Sequence, residues 1–102
     1  SGQILPPKGV YGVQVHEENL EATPIWGVMN IGNVPTFTHQ HNIHVEVHLL
    51  EYQNDLYGKP LIVDILKPIR GEQKFSSPKE LVQQIKRDIQ FFREWIKTAE
   101  SI

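Results

Sequence analysis

No cysteine occurs anywhere in the chain, so disulfides, thiolate-bound metals and cysteine nucleophiles are excluded from the outset. The same absence leaves no mark of an oxidising compartment. No apolar run approaches the ~20 residues that a membrane-crossing helix needs, and no secretory leader is visible. Ten Lys and Arg against twelve Asp and Glu give a net charge of -2, without the clustered basic surface that nucleic acid demands. Neither the P-loop nor the dinucleotide glycine pattern is present, and no Ser/His/Asp arrangement stands out. Methionine occurs once, at Met29, and the chain opens Ser1-Gly2, so a processed, tagged or excised form is expected. What remains is ordinary: 102 residues, 39% hydrophobic and 22% charged. That composition suits one soluble domain over residues 1–102, cytoplasmic by default and able to bury roughly two thirds of its unfolded surface.

Four segments alternate with the period of a strand. The first spans about 9–16, with Tyr11, Val13 and Val15 on one face and Val10, Gly12, Gln14 and His16 on the other. The second spans about 25–31 and is stopped by Gly32-Asn33 and Pro35. The third, 43–52, sets Ile43, Val45, Val47 and Leu49 against His44, Glu46, His48 and Leu50. The fourth covers about 61–69, and Pro68 puts its end at an edge or a bulge. Gly12 and Gly27 inside strands predict a bend or a close backbone approach.

Ser77-Pro78-Lys79-Glu80 then announces a helix over about 78–98. Serine is placed to cap it, proline suits the first helical position, and Glu80 completes a capping box. Leu81, Ile85, Ile89, Phe92 and Ile96, widened by Val82 and Trp95, form its apolar stripe. Strands followed by one helix make an antiparallel α+β pattern, mainly β, and short strands with turn-like loops favour a small barrel or sandwich. Four strands are few for closing a barrel.

The candidate chemistry lies in the third strand and after the fourth. His39, His41, His44 and His48 crowd ten residues, and imidazole with carboxylate can bind zinc or iron. Yet His44 and His48, four apart on a strand, are separated by roughly 13 Å. A polar strand face is the prevailing reading, with His44–Glu46 or Glu46–His48 left open as a two-ligand pair. Glu46 either faces water or faces a cleft, where it would serve as a general base. Asn30-Ile31-Gly32-Asn33-Val34-Pro35-Thr36-Phe37 is a strand exit with imposed turn geometry. In Arg70-Gly71-Glu72-Gln73-Lys74-Phe75, arginine and phenylalanine can clamp a planar or anionic ligand. Alternatively the loop is solvated, with Phe75 stapled to the helix.

The same segments, collinear from about Pro7 to Ile96, resemble the riboflavin kinase family. The likeness rests on Pro7-Lys8-Gly9-Val10-Tyr11-Gly12-Val13, Asn30-Ile31-Gly32 with Pro35-Thr36-Phe37, and Val45-Glu46-Val47-His48-Leu49-Leu50. It continues through Asp55-Leu56-Tyr57-Gly58-Lys59, Arg70 with Glu72-Gln73-Lys74-Phe75, and the helix around Ile85, Asp88 and Ile89. Its bacterial flavour is similar to the C-terminal module of bifunctional enzymes that also adenylylate FMN. The resemblance implies a small antiparallel Greek-key β-barrel with a C-terminal α-helix. It implies transfer of the γ-phosphoryl of ATP, with Mg²⁺, to the ribityl hydroxyl of riboflavin. Glu46 would then be the catalytic base, Leu49, Glu51 and Tyr57 would line the nucleotide pocket, and Arg70, Gln73 and Phe75 would form a flap over the flavin.

Two departures modify these expectations. Val34 stands where bacterial members of the family often carry arginine. The family's Pro-Thr-Ala-Asn segment, whose Thr and Asn hold Mg-ATP, has no counterpart before Pro7, so no metal-ligating residue is assigned. The resemblance therefore implies a barrel incomplete at its N-terminus, less than full kinase activity, and an exposed sheet edge open to self-association. A degenerate flavin- or nucleotide-binding module without catalysis is the alternative. An interaction domain that shares only the ancestry is a third.

Overall fold

The computed structural model describes residues 6–17, 24–34, 42–51 and 60–100. Four strands precede one helix: β1 (Gly9–Glu17), β2 (Ile25–Val34), β3 (Asn42–Leu49), β4 (Leu61–Gly71) and α1 (Pro78–Glu100). They form one antiparallel sheet in the order β3-β2-β1-β4. Three consecutive strands meander and the fourth returns beside the first, which is the Greek-key arrangement. The sheet is open: β3 and β4 lie at opposite edges and are not paired with each other.

Three strand ends differ from the sequence expectation, β4 running past Pro68 to Gly71 as an edge strand. β2 runs on through Gly32-Asn33, because Asn33 and Val34 pair with Ile43 and Asn42 of β3. Pairing with a neighbour outweighs the weak local preference of Gly and Asn for turns. β3 ends earlier than expected, at Leu49, with Leu50 and Glu51 in a turn. The Leu50 N–H still donates to the Trp26 carbonyl at 2.9 Å, and Glu51 adopts φ 57, the left-handed region that costs a non-glycine residue.

Being central, β1 is buried on both faces. On one side Val10, Val28, Leu50, Phe92 and Ile96 pack together, flanked by Trp26, Leu66, Ile69, Ile89 and Trp95. Helix α1 covers this side, lying across β4 and β2. On the other side Tyr11, Val13, Val15, Met29 and Ile31 cluster with Val47 and Leu49. Gly12 explains how the helix comes so close: a Cβ there would lie 2.1 Å from a ring carbon of Phe92. Register shifts between β1 and β4 at Val10/Tyr11 and Gly12/Val13 bend the sheet beneath that contact.

The helix begins as its sequence predicts, with one displacement. Ser77 Oγ accepts the Glu80 N–H at 3.2 Å, and the Ser77 carbonyl accepts the Leu81 N–H, closing the first turn. The Glu80 carboxylate reaches back one residue further than a capping box requires, accepting from Ser76 Oγ at 2.7 Å and Ser76 N–H at 3.2 Å. The Ser76 hydroxyl and then its N–H hold the Glu80 carboxyl below its ordinary value of 4.5. A group with a depressed folded-state pKa stabilises the fold above the ordinary value. That contribution is lost as the pH falls through the lowered one. Wild type should therefore melt above Glu80→Gln near neutral pH, and the gap should close on acidification below 4.5, as followed by circular dichroism.

Candidate active site

β3 and β2 place Glu46 directly opposite Asn30, and Val28 opposite His48. β1 and β4 place Val10 opposite Arg70. These pairs share the helix-facing side of the sheet, at the end where α1 begins. There Val10, Val28, Asn30, Glu46, His48 and Arg70 enclose a cavity of about 110 Å³ with Leu81, Ile85 and Asp88 of the helix. Glu46 is well exposed, and His44 Nε2 stands 2.7 Å from its Oε1. Glu46 thus borders the cavity while its side chain stays open to solvent, without the desolvation that the cleft reading called for.

The apolar stripe of α1 divides in two. Phe92 and Ile96 are core, but Leu81 and Ile85 are 41% and 38% exposed and instead wall this cavity. The cavity therefore combines an accessible carboxylate, uncovered aliphatic surface and an arginine. At about 110 Å³ the cavity admits part of a ligand only, since small-molecule pockets run to about 300–1,000 Å³.

Arg70 is less free than a flap residue would be. Its Nε donates to both carboxylate oxygens of Asp88 at 3.0 Å, and its Nη2 lies 3.0 Å from Oδ2. Its Nη1 donates to the Gly71 carbonyl, and the guanidinium stands 5.6 Å from the centre of the Phe75 ring. Phe75 and Gln73 open onto a separate polar hollow of about 290 Å³, with Lys74, Glu80, Gln83, Gln84 and Arg87. Arg70, packed against Phe75, connects the two.

The remaining sequence candidates lie elsewhere. Leu49 points to the opposite face of β3 from Glu46 and packs in the second core cluster. Glu51 pairs with Arg93 Nη1 at 2.9 Å beside a hollow of about 340 Å³ floored by Trp26, Leu50 and Ile96. Tyr57 lies outside the described residues, as do Thr36, Phe37, His39 and His41. The cavity also takes in Asp88, Asn30, Leu81 and Ile85, which the sequence reading does not place at the site. For Asp88 a signal existed: it is a charge within the apolar stripe, four residues before Phe92, where a solvated carboxylate has no place.

The riboflavin kinase family model matches residues 1–96, nearly the whole chain. The chain belongs to the riboflavin kinase family. Among curated proteins it is similar to the bifunctional riboflavin kinase/FMN adenylyltransferase of Escherichia coli, 45% identical over 93 residues, covering 91% of this chain and 29% of that protein. The Bacillus subtilis enzyme of the same description is 40% identical over 89 residues, covering 85% and 27%. An RNA-binding riboflavin kinase of Bacillus subtilis is 39% identical over 84 residues, covering 79% and 34%. A solved structure described as a macrolide-efflux protein of Streptococcus pneumoniae superposes with a TM-score of 0.76 at 30% identity, covering 90% of this chain and 29% of that one. The chain thus spans about a third or less of the length of each of these relatives. The matching segments include the strands that carry Glu46 and Arg70.

Proposed function

We propose that this chain belongs to the kinase part of a bacterial enzyme that makes FMN and then FAD, the γ-phosphoryl of ATP passing to the ribityl hydroxyl of riboflavin, and that the chain by itself falls short of full activity. The observation that carries the reading is the meeting of Glu46 and Arg70 at one apolar-walled cavity in a chain of this family. Phosphoryl transfer asks little covalent chemistry of the protein: it needs the hydroxyl positioned and its proton accepted while charge on the phosphates is managed. Glu46 is placed to accept that proton. Leu81 and Ile85 offer apolar surface to the flavin ring beside Arg70, and Phe75 and Gln73, which open onto the neighbouring hollow, are the family-based candidates for the flap. By the family likeness Glu51, Leu49 and Tyr57 serve the nucleotide; of these Glu51 lines a hollow and Leu49 packs in the second core cluster.

ATP enters as its Mg²⁺ complex, the cation being part of the substrate. Among the described residues no group of three His, Asp or Glu is arranged to hold a metal, and the Asp88 carboxylate is already engaged by Arg70. No step is therefore assigned to a protein–metal contact. A cytoplasmic setting goes with an ATP-dependent reaction on small molecules. Among the described residues no helix is long and apolar enough to cross a membrane.

Incubating the full-length protein that carries this chain with riboflavin and Mg-ATP should yield FMN, separable by chromatography. Flavin binding without FMN formation would favour the degenerate binding module. Neither binding nor turnover would overturn the assignment.

Self-association is a further expectation. Among the described residues the outer edges of β3 and β4 are unpaired, and Ile43, Val45, Leu61, Val63 and Ile65 are exposed along them. An apolar edge of this kind templates pairing with another strand. Light scattering on this 102-residue chain should show a mass that rises with concentration, and a monomer throughout would remove the idea.

A further inference from the structure

Asp88 is the charged side chain buried in the seam between sheet and helix, only 3% exposed. A buried carboxylate is costly unless paired, and this one is fully engaged. Both oxygens accept from Arg70 Nε, Oδ2 also faces Arg70 Nη2, and Oδ1 accepts from Gln84 Nε2 at 2.9 Å. With its acceptors filled by this chain, Asp88 has no capacity left to serve as a base or to ligate a metal.

Stability alone does not account for the pair. A buried ion pair is often no more stabilising than apolar side chains of similar volume, and Asp88 sits where the stripe would take one. What the pair does achieve is geometric. Arginine is a long, flexible side chain, and its planar fork fits a carboxylate edge in one orientation. Asp88 uses the Nε/Nη2 edge, which leaves Nη1 directed to the Gly71 carbonyl and one guanidinium face near Phe75. Arg70 is thereby held, 18% exposed, in the wall of the cavity that Glu46 shares. The helix fixes a group on the edge strand at a set position before any ligand arrives. Such preorganisation removes an ordering cost from binding.

We propose that Asp88, supported by Gln84, is the positioning residue for Arg70, presetting its guanidinium for the flavin substrate. The proposal rests on the reading of Arg70 as a flavin-binding residue. It predicts that Asp88 acts on substrate binding through Arg70 and does not act on the chemical step.

The test is steady-state kinetics of the full-length protein at saturating Mg-ATP, with a thermal melt for every variant. Asp88→Asn keeps the shape and the Gln84 contact but removes the charge that orients the arginine. It should raise KM for riboflavin about tenfold with kcat within about threefold of wild type. Arg70→Gln should do the same, and the double variant should be no worse than Arg70→Gln alone, because the two residues act as one unit. An Asp88→Asn enzyme that melts early but keeps its KM, beside an Arg70→Gln enzyme whose KM rises, would overturn the role of Asp88 alone. An unchanged KM in Arg70→Gln would instead remove Arg70 from the flavin site, and the proposal with it. Should Asp88→Asn fail to fold, Gln84→Leu strips only the flanking hydrogen bond. A KM raised about threefold would then support the proposal, and an unchanged one would overturn it.

Discussion

Replacing Glu46 by glutamine is expected to lower the rate of riboflavin phosphorylation by about 10²–10⁴-fold, the range that loss of a positioned general base produces. The amide keeps the size of the side chain and can still bond to His44, but it cannot take the hydroxyl proton. Because Glu46 is exposed, the exchange should leave folding nearly untouched, within about 0.5 kcal/mol. KM for riboflavin should move little, since the walls proposed for the ring are Leu81, Ile85 and Arg70, which line the same cavity. A fall in kcat without a matching rise in KM marks an interaction made only in the transition state. FMN formation followed by fluorescence or chromatography checks this. A variant turning over within about tenfold of wild type would take the base's role away from Glu46.

The second large effect concerns the seam that holds the helix to the sheet. Phe92 is fully buried, edge-on to Trp26 with centroids 6.0 Å apart and stacked on Trp95 at 5.8 Å. Its ring fills the space left by the missing side chain of Gly12. Phe92→Ala should cost roughly 3–5 kcal/mol, a large part of the stability of a small domain. Gly12→Ala should also destabilise, by at least about 1–3 kcal/mol, because its methyl would collide with the ring. Made together, the two should cost clearly less than the sum, since the new methyl occupies part of the vacated space. Urea denaturation of the four proteins measures the coupling, and strict additivity would mean the contact is not formed in solution.

Much of this molecule is legible along the chain. β1 and β3 show their faces by strict alternation, a pattern that needs only the pleat and a difference between two sides. The start of α1 is written locally, because Ser77, Pro78 and Glu80 act on backbone groups within one turn. Gly12 signalled a close approach, since only the loss of a Cβ lets another element so near. Glu46 is marked along the chain as a carboxylate inside a strong strand, and its place at the helix-side cavity agrees with one of its two readings.

The rest depends on which strands become neighbours, and no local pattern states that. Whether β4 returns beside β1 or beside β3 decides that Arg70 and Glu46 share one cavity, and it also leaves the sheet open. Leu81 and Ile85 read as core because amphipathic spacing shows a face and not what lies opposite it. The sheet meets α1 at Phe92 and Ile96 and leaves the first turns over the cavity. Leu49 and Glu46 belong to one strand but to opposite faces, so closeness in sequence parts them in space. Asp88 reads as a misplaced charge until β4 brings Arg70 across to it, eighteen residues away in the chain. The sequence by itself determined the elements and their faces, because those follow from the backbone and its nearest neighbours. Only the tertiary structure decided which of those groups meet, because burial and pairing depend on surfaces distant in sequence.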